Sequence, residues 1–285
     1  MKFDFHCHTS CSDGTLSPKQ LIDLAFERDI EVLAITDHDT VAAYGQFPPG
    51  NYQRDHSDGR SLKLISGCEF SALWNGIVVH VVGLDFDLES SDIQQLLSRA
   101  TSLREERAIR VGAALEKLGI ANAYAGAKKQ ADKGVVARPH FARYLVESGI
   151  VPTEKKAFKK YLGKGKPGDI KVEWPSVEMV AEAVSAAGGV SILAHPVHYD
   201  LTRTKLLRLV GDFQSAGGRA IEVLSGKQPA NQVQQLVDIA NQNDMLSSAG
   251  SDFHRPGQPW ADLGKIVALP NKATPVWTEI KSLQG

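Results

Sequence analysis

Two histidines one residue apart, His6 and His8, followed closely by Asp13, make a donor set suited to a divalent cation. Phe3, Phe5 and Cys7 alternate with Asp4, His6 and His8, and a β-strand sends alternate side chains to opposite faces. The two imidazoles would then project from one face, roughly 6 to 7 Å apart. They could meet on one ion, each through a ring nitrogen at about 2 Å. Asp13, in a Ser-Asp-Gly turn, can bring a carboxylate back over the same end. Alone, the pattern equally suits an edge strand with two solvated histidines, so the assignment depends on partners.

Those partners recur where apolar runs end. Ala34-Ile35-Thr36-Asp37-His38 closes the run from Glu31 to Ile35, and Glu69 follows the run Leu62 to Ile65. His80 sits inside Val78-Val79-His80-Val81-Val82, His195 ends Ile192-Leu193-Ala194-His195-Pro196, and Asp252 and His254 close Ala249-Gly250-Ser251-Asp252-Phe253-His254. Singly, His80 reads as a satisfied core histidine and His38 as a helix cap. Together, six of the nine histidines fall at or near predicted strand ends, which is the placement of a site rather than of histidines scattered over the surface.

The elements that must position them alternate. Ser17-Pro18 predicts a helix start with proline at the first helical position. Strand Glu31–Ile35 follows, and Tyr44 to Arg60 shows no helical period; His56 within it reads as solvated. A helix is expected from Asp92 to about Leu118. The last third predicts helix Val177–Ala187, strand Val190–Ala194, a helix from Thr204, strand Ala220–Leu224, helix Gln232–Asn243 and strand Leu246–Gly250. That alternation marks βαβ units with parallel strands, and ligands at strand ends suit a barrel, whose sites gather at the C-terminal face. Between Ala121 and Gly168 only short helical patterns appear. We therefore expect residues 1–99 and 171–285 to form the metal-binding barrel and residues 100–170 a helical insertion that caps the substrate.

The insertion carries the candidate anion-binding groups. Arg104 and Arg107, with Arg110, recur every three residues, and Arg138 and His140 flank Pro139 in what should be an extended segment. Guanidinium forks match phosphate oxygens; the competing reading of the helix arginines is a solvated face paired with Glu105 and Glu106. Lys164 and Lys166 occupy a Gly-Lys-Pro-Gly loop.

Composition sets outer limits. The chain has 285 residues, 42% of them hydrophobic, with a formal net charge of −1 and a pI near 6.8. That balance argues against a broad groove for long duplex nucleic acid. No apolar run approaches a membrane span, and the first residues already read as a strand with no leader, so the cytoplasm is expected. Three cysteines without a Cys-x-x-Cys spacing offer neither a disulfide framework nor a zinc knuckle.

At His6 and His8, Thr36-Asp37-His38, His195-Pro196 and Ser251-Asp252-Phe253-His254, with Glu69 and His80 between, the chain resembles the polymerase and histidinol phosphatase (PHP) domain phosphoesterases. Ser12-Asp13-Gly14-Thr15-Leu16, Arg138-Pro139-His140, Lys164-Gly165-Lys166-Pro167-Gly168 and Pro256-Gly257 are similar to a bacterial subgroup that dephosphorylates nucleoside 3′,5′-bisphosphates, whose relatives trim short RNAs from the 5′ end. The resemblance implies a distorted (β/α)7 barrel and three divalent ions, manganese first and iron or zinc as alternatives. It implies that His6, His8, Glu69 and Asp252 hold one ion, that Glu69 bridges to a second held by His80 and His195, and that Asp13, His38 and His254 hold a third. Water activated by the ions would be the nucleophile, with no side-chain nucleophile and His140 as a candidate acid; Arg138, His140, Arg104 and Arg107 would bind substrate. The expected reaction removes the 3′-phosphate of a nucleoside 3′,5′-bisphosphate, with trimming of short 5′-phosphorylated RNA beside it. A histidinol-phosphate-type phosphatase and a noncatalytic metal-stabilised module are the alternatives.

Overall fold

The computed structural model describes residues 1–53, 59 and 61–284; His56 lies outside the described residues. Strand β1 (Phe3–Asp4) leads through the Asp13 turn into α1 (Pro18–Glu27). Ser17 and Gln20 cap that helix reciprocally, and Pro18 takes the first position, where no amide hydrogen is needed. Leu21, Ile22, Ala25 and Phe26 bury its apolar face. Next come β2 (Val32–Ala34), β3 (Gly50–Gln53), β4 (Ser61–Ile65), β5 (Gly67–Trp74) and β6 (Ile77–Leu84). Among its described residues, the segment read as lacking helical period holds the end of a 3₁₀ turn, Ala42–Gly45, and then β3. Tyr44 anchors that turn, its hydroxyl lying 2.7 Å from Ile35 O and 2.9 Å from Ile65 O.

Beyond β6 the chain is helical: α2 (Ser91–Glu116), α3 (Ala123–Ala131), α4 (Arg138–Glu147), α5 (Glu154–Ala157) and a π-helical turn at Phe158–Leu162. Then α6 (Val177–Ala186), β7 (Val190–Leu193), α7 (Arg203–Ser215), β8 (Ala220–Ser225), α8 (Ala230–Gln242) and β9 (Leu246–Gly250) restore the expected alternation, with β7, β8 and β9 parallel. The residue-100 boundary falls inside α2. Its first turns place Ile93, Leu96 and Leu97 in the main core, while Ala108, Val111 and Leu115 join Phe141, Leu145 and Leu162 in a separate one.

The described strands form two sheets, ordered β1-β2-β4-β3 and β5-β6-β7-β8-β9, rather than one closed ladder. The stretches that would complete a barrel, just after β1 and β2, are those from which His6, His8 and His38 project. Some of their backbone amides are met by side chains, Cys7 N by Thr36 Oγ1 at 3.1 Å and Thr9 N by Asp37 Oδ1 at 2.7 Å, and others by single carbonyls across the gap, His8 N by Phe253 O and Thr36 N by Cys7 O, each at 2.8 Å. Single bridges, Cys7 to Phe253 and His38 to Glu69, link the sheets. Close approach of β9 to the first strand requires Gly250, where a Cβ would lie 2.2 Å from His6 Cβ.

One local expectation is corrected. Arg138 and His140 are not extended; they open α4, with Pro139 in its first turn. A proline in the first turn lacks only an amide hydrogen that has no partner within the helix. His140 adds a cap, its Nδ1 accepting from Ala137 N at 2.9 Å.

Candidate metal centre

Glu69 projects from β5, fully buried, at the centre of five imidazoles. Its Oε2 lies 3.3 Å from both His6 Nε2 and His8 Nε2 and 2.9 Å from His38 Nδ1. Its Oε1 lies 2.8 Å from His80 Nδ1 and 2.7 Å from His195 Nε2. Asp252 Oδ1 faces His8 Nε2 at 3.4 Å and His6 Nε2 at 3.6 Å. Asp13 reaches His254 Nε2 at 3.3 Å and His38 Nε2 at 3.8 Å. All nine side chains singled out in the sequence therefore converge. Their donor atoms fall into four overlapping groups: His6–His8–Asp252, His6–Glu69–His195, His38–Glu69–His80 and His8–Asp13–His38–His254. The last contains the trio expected to share an ion and adds His8. His80 and His195 fall in different groups, joined through Glu69.

Backbone geometry aims these donors. His195 and Asp252 leave β7 and β9 at φ of 25° and 54°, conformations that non-glycine residues hold only when the surroundings fix them. Tyr199 reinforces the His80–His195 side, donating to Ala194 O at 2.6 Å and accepting from His80 N at 2.9 Å.

The cluster fits divalent cations better than it fits itself. His6 Nε2, both ring nitrogens of His8, His38 Nδ1, His195 Nδ1, Asp13 Oδ1 and Glu69 Oε2 are buried without a well-aligned hydrogen bond among the described residues, even where, as between His38 Nδ1 and Glu69 Oε2, the atoms are 2.9 Å apart. Orphaned buried polar atoms are costly, and mixed nitrogen and oxygen donors at this spacing are what first-row divalent ions coordinate. Burial would raise the Glu69 carboxyl, yet His38, His80 and His6 hold it well below its ordinary range. Burial, reinforced by His254 and His38, pushes His8 down to about 3, the neutral form a metal needs. His254 goes the other way: burial opposes it, but Asp13 and Asp252 raise it to about 10.

Beside the cluster lies a cavity of about 520 Å³. Asp13, His38 and His80 bring the candidate metal ligands to its wall, and Arg104, Arg107, Arg138 and Lys164 bring positive charge. Arg104 is buried and committed to Asp39, Nε at 2.7 Å and Nη2 at 2.6 Å, not paired with Glu105 or Glu106. Arg107 donates one bond to Ile170 O at 2.9 Å. Burial, with Arg138 and Arg104 nearby, lowers Arg107 to about 10. Arg138 makes one long contact, 3.4 Å to Leu162 O. His140 does not line the cavity; it is 1% exposed, and burial, with Arg143 adding to it, drives it down to about 4. The sequence pair therefore separates, Arg138 facing the cavity and His140 serving the helix.

Several participants escaped the sequence reading. Glu222, on β8 and 2% exposed, places Oε1 2.9 Å from His6 Nδ1, and its Oε2 accepts from His195 N at 2.7 Å. A carboxylate inside Ala220-Ile221-Glu222-Val223-Leu224 was the available signal. Asp37 accepts from Thr9 and Ser12, and Asp4 from the amides of His6, Ser251 and Gly264. His198 stacks on His195 with centroids 5.1 Å apart and lines the cavity.

A two-sheet α/β frame carrying a His/Asp/Glu cluster at strand ends defines a metal-dependent hydrolase. The PHP domain family matches residues 4–117. Over 276 residues the chain is 42% identical to a 5′-3′ exoribonuclease of Haemophilus influenzae, covering 97% of this chain and 98% of that protein. It is 37% identical to a 3′,5′-nucleoside bisphosphate phosphatase of Chromobacterium violaceum, covering 98% and 96% of the two. A solved structure of an amidohydrolase from Chromobacterium violaceum, with bound sulfate and no metal, superposes with a TM-score of 0.89 at 37% identity, covering 99% of this chain and 97% of that one. The chain belongs to the PHP-domain phosphoesterases, enzymes that hydrolyse phosphoester bonds. No described helix is long and apolar enough to cross a membrane.

Proposed function

We propose that the chain removes the 3′-phosphate of nucleoside 3′,5′-bisphosphates, leaving the nucleoside 5′-monophosphate, and that short 5′-phosphorylated RNA uses the same site. The observation that carries this reading is the shared cavity, with the ligands Asp13, His38 and His80 on one part of its wall and Arg107, Arg138 and Lys164 on another. A substrate with two phosphates satisfies both parts. The two relatives described above act, by their names, on RNA and on nucleoside bisphosphates. We assign three divalent ions, manganese first, to the overlapping donor groups. We also read the isolated bridges as closing β1, β2 and β5 to β9 into a distorted seven-stranded ring, with residues 100–170 as the cap.

Held by these donors, divalent ions would supply Lewis acidity for the phosphoryl oxygens and would lower the pKa of water. The protein's own contribution is placement. Glu69, between two sets of imidazoles, fixes the spacing of the donors. Arg138 and Arg107 anchor the phosphate that stays, so its binding energy positions the one that leaves. Arg104, through Asp39, ties α2 to the strand end that carries His38. His140 keeps the first turn of α4, and with it Arg138, in place rather than donating a proton. Val172, Trp174 and Leu73 on the cavity wall offer an apolar surface to the nucleoside.

The test is a substrate panel on manganese-loaded protein. Adenosine 3′,5′-bisphosphate should show a higher kcat/KM than adenosine 3′-monophosphate and give adenosine 5′-monophosphate, with histidinol phosphate poor. A 3′-monophosphate product, or faster turnover of histidinol phosphate, would overturn the assignment.

A further inference from the structure

We propose that the helical stretch Glu154–Leu162 is a track for the downstream phosphates of a single-stranded RNA whose 5′ end occupies the cavity. The proposal rests on the short-RNA part of the function above and gives it a place on the surface. Seven of the 32 lysines and arginines fall between residues 155 and 171, against the one carboxylate of Asp169, in a chain whose net charge is −1. Lys155, Lys156, Lys159 and Lys160 are all exposed. They occupy i, i+1, i+4 and i+5 of α5 and the π turn, hence one face. Their place in the last turns suits the helix dipole, but like charges at i, i+4 repel, so the doubled pairs work against the helix.

Both ends of the stretch connect to the site. Two flanking carboxylates are engaged with other groups, Glu154 with Arg255 at 2.8 Å and Asp169 with Gly165 N at 2.8 Å. Arg255 directly follows the ligand His254, so the start of the stretch is tied to the metal-bearing loop. At its other end Leu162 O accepts from Arg138, and Lys164 and Lys171 line the cavity. The stretch that carries the lysines therefore runs between two edges of the site. The π turn, closed by Gly163 N to Phe158 O at 2.8 Å, is a rare geometry that often marks functional positions. Half-buried Tyr161, with Lys160 Nζ 4.9 Å from its ring centre, adds an aromatic surface of the kind on which bases stack. The nine residues span about 13 Å, room for about two phosphates beyond the one in the cavity.

The experiment compares the parent with the quadruple variant Lys155→Gln, Lys156→Gln, Lys159→Gln, Lys160→Gln, using adenosine 3′,5′-bisphosphate and a 5′-phosphorylated pentaribonucleotide. All four positions are exposed, and thermal unfolding checks that the fold is kept. The variant should hydrolyse the bisphosphate at the parent's kcat/KM. On the pentamer it should lose about tenfold at low salt, with the slope of log kcat/KM against log salt shallower by about 1.4 for two released contacts. The single reversal Lys159→Glu should shift the same two readouts in the same direction. Unchanged pentamer kinetics, or equal losses on both substrates, would overturn the track. A parent that cleaves the bisphosphate but not the pentamer removes the track and leaves the bisphosphate reading standing; a parent inert on both removes that reading as well. Unchanged pentamer kinetics with lysine-dependent binding to phosphatidylserine vesicles would reassign the face to a membrane surface.

Discussion

Glu222→Gln tests how the metal centre is held. Glu222 accepts at both oxygens, from His6 Nδ1 at 2.9 Å and from His195 N at 2.7 Å. A carboxylate offers acceptors only, so His6 carries its hydrogen on Nδ1 and turns the Nε2 lone pair toward Glu69 and Asp252. Glutamine keeps the size but has one acceptor and one donor. If its oxygen serves His195 N, its amide hydrogens meet His6 Nδ1, which must become the acceptor; the ring hydrogen then moves to Nε2, the atom meant for the metal. If the amide turns over, two donors face each other at His195, an unmade buried bond costing about 1–3 kcal/mol. Either arrangement should weaken metal binding by about 10- to 100-fold, or about 1.4–2.7 kcal/mol. The assay is manganese titration of metal-stripped protein against a competing chromophoric chelator, with the unfolding temperature of the stripped protein as the control for packing. Glu222→Asp, one methylene shorter, should keep the charge yet still lose one of the two bonds. Parent-like manganese affinity in Glu222→Gln, with an unchanged fold, would refute the positioning argument.

Glu69→Gln removes the charge shared by five imidazoles and should lower both bound metal and phosphatase activity; normal stoichiometry by elemental analysis with full activity would sink the shared-ligand arrangement. Arg138→Ala should keep its metals but lose roughly 2–5 kcal/mol of phosphate anchoring, about 30-fold or more in kcat/KM on the bisphosphate; parent kinetics would make Arg138 a bystander. Gly250→Ala would drive a methyl into His6, so we expect a loss of stability of several kcal/mol, read by urea denaturation. Removing metal with a chelator should abolish hydrolysis and lower the unfolding temperature, since ions that bind only the folded state stabilise it; an unchanged melt would argue that no ion occupies the cluster.

The metal centre was legible because its signal is local. Alternation along the extended chain sends His6 and His8 the same way although the strand itself stops at Asp4, and His38, His195, Asp252 and His254 each follow an apolar run that must end near them. Glu222 gave only a weak local cue: its partners lie 216 and 27 residues away, and a carboxylate within an apolar strand announces burial without naming what it meets. Arg104 shows the same limit, since periodicity pointed to neighbours on its own helix while the buried partner, Asp39, lies 65 residues earlier. The Arg138–His140 segment was misread because the restriction proline places on its predecessor outweighed, in that reading, its preference for the first turn of a helix. Barrel closure depends on whether the last residues of β1 and β2 complete a ladder, and side chains such as Asp37 and Thr36 compete for those amides.

The unbroken course of α2 also governs how substrate is selected. Its first turns are packed in the main core, its last turns in the helical one, and Arg104 is fastened to Asp39 between them. It contains no proline, and its one glycine, Gly112, has no room for a Cβ because Tyr124 packs against it, so neither usual cause of a kink is at work. Arg104 and Arg107 are therefore set at a fixed distance from the strand end that carries His38 when the chain folds, like a jaw of a gauge rather than that of a clamp. A nucleotide whose two phosphates match that gap is accepted without reorganisation, and one that does not match finds no hinge within α2 that could bring Arg107 closer.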